Sequence, residues 1–128
     1  MPPYPWHLGG KGFHNLLLDS ESIIRIKEKT DLEICLDTSH SFLSANELNF
    51  NFYDFVQDLN SSINHVHFSD AKGESSEGLQ IGHGSIDFKK ILSILKNQNI
   101  SIIPEIWQGH EKEGEGFWKG LINLANSL

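Results

Sequence analysis

The chain has 128 residues, 38% hydrophobic and 21% charged, which is a globular composition at single-domain length. Seventeen Asp and Glu against ten Lys and Arg give a net charge of −7, and the basic residues stand singly apart from Lys89-Lys90. Nucleic acid is therefore a disfavoured partner, because neutralising phosphates supplies most of that affinity. No apolar run reaches about 18 residues, so no membrane span is expected. The opening Met1-Pro2-Pro3-Tyr4-Pro5-Trp6 has no basic-then-apolar leader, so no signal peptide is expected either. The lone Cys35 excludes an internal disulfide and a Cys-cluster zinc site, and a cytoplasmic location is the expectation.

Residues 2–12 carry three prolines and Gly9-Gly10 and read as a loop. Ser20 is placed to cap a helix over 21–29 with Ile23, Ile24 and Ile26 on its apolar side. Leu32-Glu33-Ile34-Cys35-Leu36 is a short β-type run ending at Asp37. Ser44 with Glu47 three residues on forms a capping box, opening a helix whose Leu48, Phe52, Phe55 and Leu59 share one face. Residues 63–68 form the next strand, ending at Ser69-Asp70, and a Gly/Ser/Glu loop covers 73–85. A helix follows over about 87–97, with Phe88, Ile91, Leu92 and Leu95 at helical spacing. A third strand runs over 100–107, and Gly114-Glu115-Gly116 leads into a last helix over 117–127.

Strands near 32, 63 and 100, each followed by a helix, make an α/β chain with parallel strands. Right-handed crossovers between neighbouring strands place every helix on one face of the sheet. The other face, with His65, His67 and Glu105, would lie bare, and two strand edges would stay unpaired. A closed (β/α)8 barrel removes both problems, but it takes about 250 residues. The expectation is a partial TIM barrel over residues 1–128: three βα units from its C-terminal part, without its N-terminal half. Such a chain is either a truncated reading frame or half of an assembly, with a homo-oligomer or the missing half-barrel as partner.

Parallel strands usually read as continuous apolar runs. Here each ends in, or carries, a metal-competent side chain: Asp37, then His65 and His67, then Glu105. The C-terminal strand ends form the active face of a β/α barrel. Two carboxylates and an imidazole converging there suit Mn²⁺, Mg²⁺, Co²⁺ or Zn²⁺. His67 lies nearer the strand end than His65 and is the better ligand, while His40, just past Asp37, is placed to touch a ligand or the metal. Asp70 reads either as a residue orienting an imidazole or substrate hydroxyl, or as a plain turn residue. Gly82-His83-Gly84 has weak likeness to a phosphate-cradling loop, and Trp107 and Trp6 read as sugar-pocket walls or as ordinary packing. His7, His14 and His110 receive no role, and Cys35 is expected to be buried, turned away from Asp37, and inert.

Four segments occur in order: Leu36-Asp37-Thr38-Ser39-His40, then His65 to Lys72, then Gly78 to Gly84, then Ile103-Pro104-Glu105. Together they resemble the xylose isomerase-like superfamily, which joins sugar and sugar-phosphate isomerases/epimerases with endonuclease IV-type AP endonucleases. The resemblance runs from about residue 15 to the C-terminus, over what corresponds to the last three of eight strands. It implies metal ligands at Asp37, His67 and Glu105 and a substrate or metal contact at His40; Asp70 and Trp107 stay candidate substrate-binding residues on the reading of the residues alone. Glu105 and His40 would be the catalytic groups. The family's fourth ligand, a Glu on the preceding strand, would fall a few positions upstream of Met1. The implied chemistry is 1,2-proton transfer at a carbonyl, with that Glu and Glu105 as an acid–base pair. The endonuclease branch carries an Asp-x-His where this chain has Ser76-Glu77-Gly78, which favours the isomerase branch. The alternatives are a phosphodiesterase acting on abasic DNA and a non-catalytic barrel segment.

Overall fold

The computed structural model describes residues 15–96 and 99–128. The expected opening loop with Trp6 and His7 lies outside the described residues, as do His14 and residue 97 at the end of the helix expected over 87–97. The element order is α1 (Ser20–Thr30), β1 (Ile34–Asp37), α2 (Thr38–Leu48), α3 (Phe52–Leu59), β2 (Ile63–Phe68), β3 (Asp70–Lys72), β4 (Ser76–Leu79), α4 (Phe88–Leu95), β5 (Ser101–Pro104) and α5 (Glu111–Ala125). A 3₁₀ turn over Asn60–Ser62 joins α3 to β2.

Strands β1, β2 and β5 form one parallel sheet in that order, as the strand–helix spacing predicts. Side chains alternate along each strand. Leu36, Val66 and Phe68 therefore turn together into the core, where they meet Leu43, Phe55, Val56, Leu59 and Ile91 from the helices. Burying each of these contributes about 1.5–3 kcal/mol. Truncating Leu59, which is fully buried, to alanine would cost about 2–5 kcal/mol. The opposite face carries Cys35 beside His65 in one row and Asp37 beside His67 in the next. Ile103 continues the second row at 42% exposed, so this face lacks helical cover among the described residues.

Several boundaries differ from the sequence reading, and side-chain acceptors explain why. Asp19, not Ser20, caps α1 by accepting the Ser22 N–H at 2.8 Å. The capping box at Ser44 does not form. Asp37 caps α2 seven residues earlier, accepting the His40 N–H at 3.0 Å, and Ser44 sits mid-helix with its hydroxyl donating to the His40 carbonyl. Asn49 in the left-handed region (φ 58°) ends α2, and Asn51 caps α3. The single helix expected across Leu48 and Leu59 is thus two helices. Strand β5 stops at Pro104 rather than at residue 107. The last helix has its regular turns after Gly114, because Lys112, Glu113 and Gly114 all have positive φ.

The largest departure falls in the segment expected to be a loop over 73–85. Part of it is the antiparallel hairpin of β3 and β4, turning at Gly73 with φ 64°. The Asn46 side-chain amide of α2 donates to the Gly73 carbonyl and ties the hairpin down. With Glu77 3.2 Å from the His40 ring, β4 lies over the start of α2, where the polar residues gather. No helix among the described residues is long and apolar enough to cross a membrane.

Candidate metal centre and the cleft beside it

The centre begins at the junction of β1 and α2. One oxygen of Asp37 accepts the His40 backbone N–H, and the other meets the His40 ring Nδ1 at 2.6 Å. Nε2 of the same ring reaches Glu77 on β4 at 3.2 Å. Burial on its own would push the His40 ring below its ordinary pKa. The hydrogen bond and charge of Asp37, with the charge of Glu77, outweigh it and raise the ring above that value. Burial would likewise raise the Asp37 carboxyl, but the His40 ring and backbone N–H hold it below the usual carboxylate value. The Thr38 hydroxyl stitches the two strand ends together, donating to the Ser69 carbonyl at 2.7 Å and accepting the Ser69 N–H at 3.1 Å.

His67 and Glu105 complete the group. Glu105 follows β5, and its backbone N–H still bonds the Phe68 carbonyl at 2.9 Å, which holds its side chain level with the end of β2. Its carboxylate meets the His67 Nδ1 at 2.7 Å. One donor atom each from Asp37, His67 and Glu105 lies within 4.8 Å of the others. A two-oxygen, one-nitrogen set at this spacing fits a divalent cation of the borderline-to-hard class. The expected ligand triad is therefore brought together, with His40 against it.

Two sequence expectations need correction. Cys35 is exposed and lies on the same face as Asp37, since residues two apart on a strand share a face. Its sulfur belongs to a second group with His65 and His67, again within 4.8 Å. Partial burial, then the charges of Asp37 and Glu105, push its thiol above the ordinary 9.0. His65 is held by Ser101, Nδ1 to Oγ 2.6 Å. The second concerns Asp70, read either as an orienting or substrate-binding residue or as a plain turn residue; its surroundings fit the turn reading. It is 1% exposed, and one oxygen accepts the N–H groups of Ala71 (2.8 Å) and Ile86 (3.1 Å). The other accepts those of Gly82 (3.0 Å) and Gly84 (2.8 Å). Asp70 closes the loop over 82–86 and has no acceptor capacity left for a ligand. Gly84 is required there, because a Cβ would collide with the Asp70 carboxylate.

A cleft of about 410 Å³ opens beside the triad, lined by His40, Glu77, Glu105, Trp107, Gln108 and His110 with Ser39 and Ser69. Trp107 is 76% exposed, and its backbone N–H bonds the Gly78 carbonyl of β4 at 2.8 Å. Glu77, Gln108 and His110 had no signal in the sequence. Glu77 reaches His40 only because the hairpin folds over α2, which no local spacing encodes.

The profile of a family described as xylose isomerase-like TIM barrel matches residues 1–124. A probable endonuclease 4 of Aster yellows witches'-broom phytoplasma is 30% identical over 90 residues, 63% of this chain and 31% of that protein. A probable endonuclease 4 of Buchnera aphidicola is 28% identical over 121 residues, 85% of this chain and 42% of its own length. Among solved structures, a D-tagatose 3-epimerase-like protein superposes with a TM-score of 0.64 at 25% identity, covering 98% of this chain and 46% of that one. The chain spans less than half the length of each of these proteins.

Proposed function

The chain belongs to the xylose isomerase-like TIM barrel family, and within it we propose that these residues form the C-terminal part of a divalent-metal-dependent sugar or sugar-phosphate isomerase/epimerase. The observation that carries this reading is the convergence of Asp37, His67 and Glu105, with donor atoms within 4.8 Å at one strand-end face. The superposition on the epimerase-like structure supports it. These three residues would hold the cation, Mn²⁺, Mg²⁺, Co²⁺ or Zn²⁺. Once bound, it supplies polarisation of a substrate's carbonyl and neighbouring hydroxyl oxygens.

The chain's own groups divide the remaining work. The Glu105 carboxylate takes the proton from the carbon next to the carbonyl while the electron pair moves onto the carbonyl oxygen. A second base, on a strand outside the parallel sheet described here, completes the transfer. His40, held by Asp37 at Nδ1 and by Glu77 at Nε2, forms part of the cleft wall beside the cation site. Trp107 presents its exposed face to the sugar C–H groups at the cleft.

The test has two readouts. Calorimetric titration with Mn²⁺ and Zn²⁺ should show binding to the chain that Asp37→Asn and Glu105→Gln both lose. Incubation with ketoses in D₂O, with the N-terminal half-barrel supplied, should place deuterium next to the carbonyl, and Glu105→Gln should abolish it. The endonuclease reading is favoured by the names of two relatives. Cleavage of an abasic duplex without deuterium incorporation into any ketose would establish it instead.

A further inference from the structure

We propose that Glu77 is a specificity-determining residue that makes the cleft a site for uncharged sugars and excludes phosphate esters. The inference rests on the isomerase reading and narrows its substrate class.

Three observations carry it. First, the titratable side chains lining the cleft are His40, Glu77, Glu105 and His110, and no lysine or arginine lines it among the described residues. The His40 ring is already clamped between Asp37 at 2.6 Å and Glu77 at 3.2 Å, so neither ring nitrogen is left for a phosphate. A phosphate entering beside it would meet the carboxylates on either side of the ring. Charges of like sign at a few ångström repel strongly in a partly desolvated cleft. Second, the glycine loop with some likeness to a phosphate cradle lies outside the cleft, and its backbone donors are spent. The N–H groups of Gly82, Gly84 and Ile86 converge on the buried carboxylate of Asp70, so this glycine loop carries its own internal anion. Third, the remaining lining suits hydroxyl groups. Ser39, Ser69 and Gln108 offer neutral donors and acceptors, Glu77 offers a half-exposed acceptor, and Trp107 offers an apolar face. Beyond Trp107 the neighbouring depression carries Lys112 and Lys119, but Glu111 and Glu115 balance them, and Glu115 holds Lys119 at 2.7 Å.

Glu77 thus does two things through one carboxylate. It orients the His40 ring from the side opposite Asp37, and it accepts a hydroxyl proton where a phosphate would be repelled.

The experiment compares one sugar with and without its charge. The full chain, with Mn²⁺, is titrated with D-fructose and with D-fructose 6-phosphate, following the backbone amide resonances of Gly78 and Trp107 in the diamagnetic Mg²⁺ form and affinity by calorimetry. The expected result is saturable binding of the neutral sugar at least tenfold tighter than of the ester, with Glu77→Gln narrowing that ratio at least tenfold. Inorganic phosphate alone should leave Gly78 and Trp107 unmoved. Tighter binding of the ester by the unaltered chain, or an unchanged ratio in Glu77→Gln, overturns the inference and leaves the isomerase reading standing. Binding of neither sugar overturns the inference as well; if Mn²⁺ affinity also fails to depend on Asp37, the isomerase reading falls with it.

Discussion

Asp37 ends β1 and Asp70 lies two residues past the end of the neighbouring β2, and each accepts hydrogen bonds from the backbone, yet their carboxylates have opposite fates. Asp70 is sealed under the loop over 82–86 and fills all its acceptor positions with four amides. Asp37 spends one oxygen on capping α2 and offers the other to a titratable ring at the open face. A carboxylate whose lone pairs are consumed by the backbone is a structural part, whereas one shared with an imidazole stays available for chemistry. Position at a strand end does not by itself separate the two roles; the number of local donors does.

The largest effect is expected from Asp70→Asn. Asparagine brings one acceptor oxygen and turns an NH₂ group toward N–H donors, stranding buried amides. The expected loss is about 3 kcal/mol of stability, read from urea unfolding. A loss below about 1 kcal/mol would mean the loop is held by something other than Asp70. The same change at the other aspartate should reverse the pattern. Asparagine caps a helix about as well as aspartate, so Asp37→Asn should cost under about 1 kcal/mol of stability. Divalent-cation affinity should instead fall at least about tenfold in calorimetric titration. Equal affinity in the two forms would remove Asp37 from the ligand set.

The contrast also marks what the sequence could and could not convey. The strand order, the one-sided helices and the triad were legible, because the β/α spacing fixes which strand ends lie together and alternation fixes which side chains share a face. The same alternation rule places Cys35 with Asp37, an inference available from the sequence alone. The fate of Asp70 was not legible. It depends on Gly82, at φ 90°, turning its N–H inward from a dozen residues away. The β3–β4 hairpin was hidden for a similar reason: Ser76-Glu77-Gly78-Leu79 lacks β-branched residues, and its pairing is imposed by the fold around it. Glu77 was hidden along with it.

Asp37, unlike Asp70, has a titrating partner, so a pH series separates the two. The folded chain raises the His40 pKa above its ordinary 6.5, so that stabilisation is complete below 6.5 and is lost as pH rises through the folded value. It lowers the Asp37 pKa below 3.8, so that stabilisation is complete above 3.8 and is lost as pH falls through the folded value. With chelator present, thermal melts should show a plateau between those limits and a decline on the alkaline side that His40→Gln flattens. An alkaline decline unchanged in His40→Gln would assign it to another group.

The smallest effect expected is at Cys35, which reads the charge of Asp37 from the next row of the sheet. Its thiol is raised first by partial burial and then by the charges of Asp37 and Glu105. The thiolate is the form that reacts. Cys35 should therefore be alkylated by iodoacetamide near pH 8 more slowly than an unfolded thiol, despite its exposure. Removing a neighbouring negative charge lowers the thiol pKa, so Asp37→Asn should speed alkylation about twofold. Asp70 is walled off by its four amides and contributes nothing to that shift. Under conditions where Asp70→Asn remains folded, it should leave the rate unchanged. Equal acceleration by both substitutions would mean that loosened packing, rather than the charge of Asp37, controls the thiol.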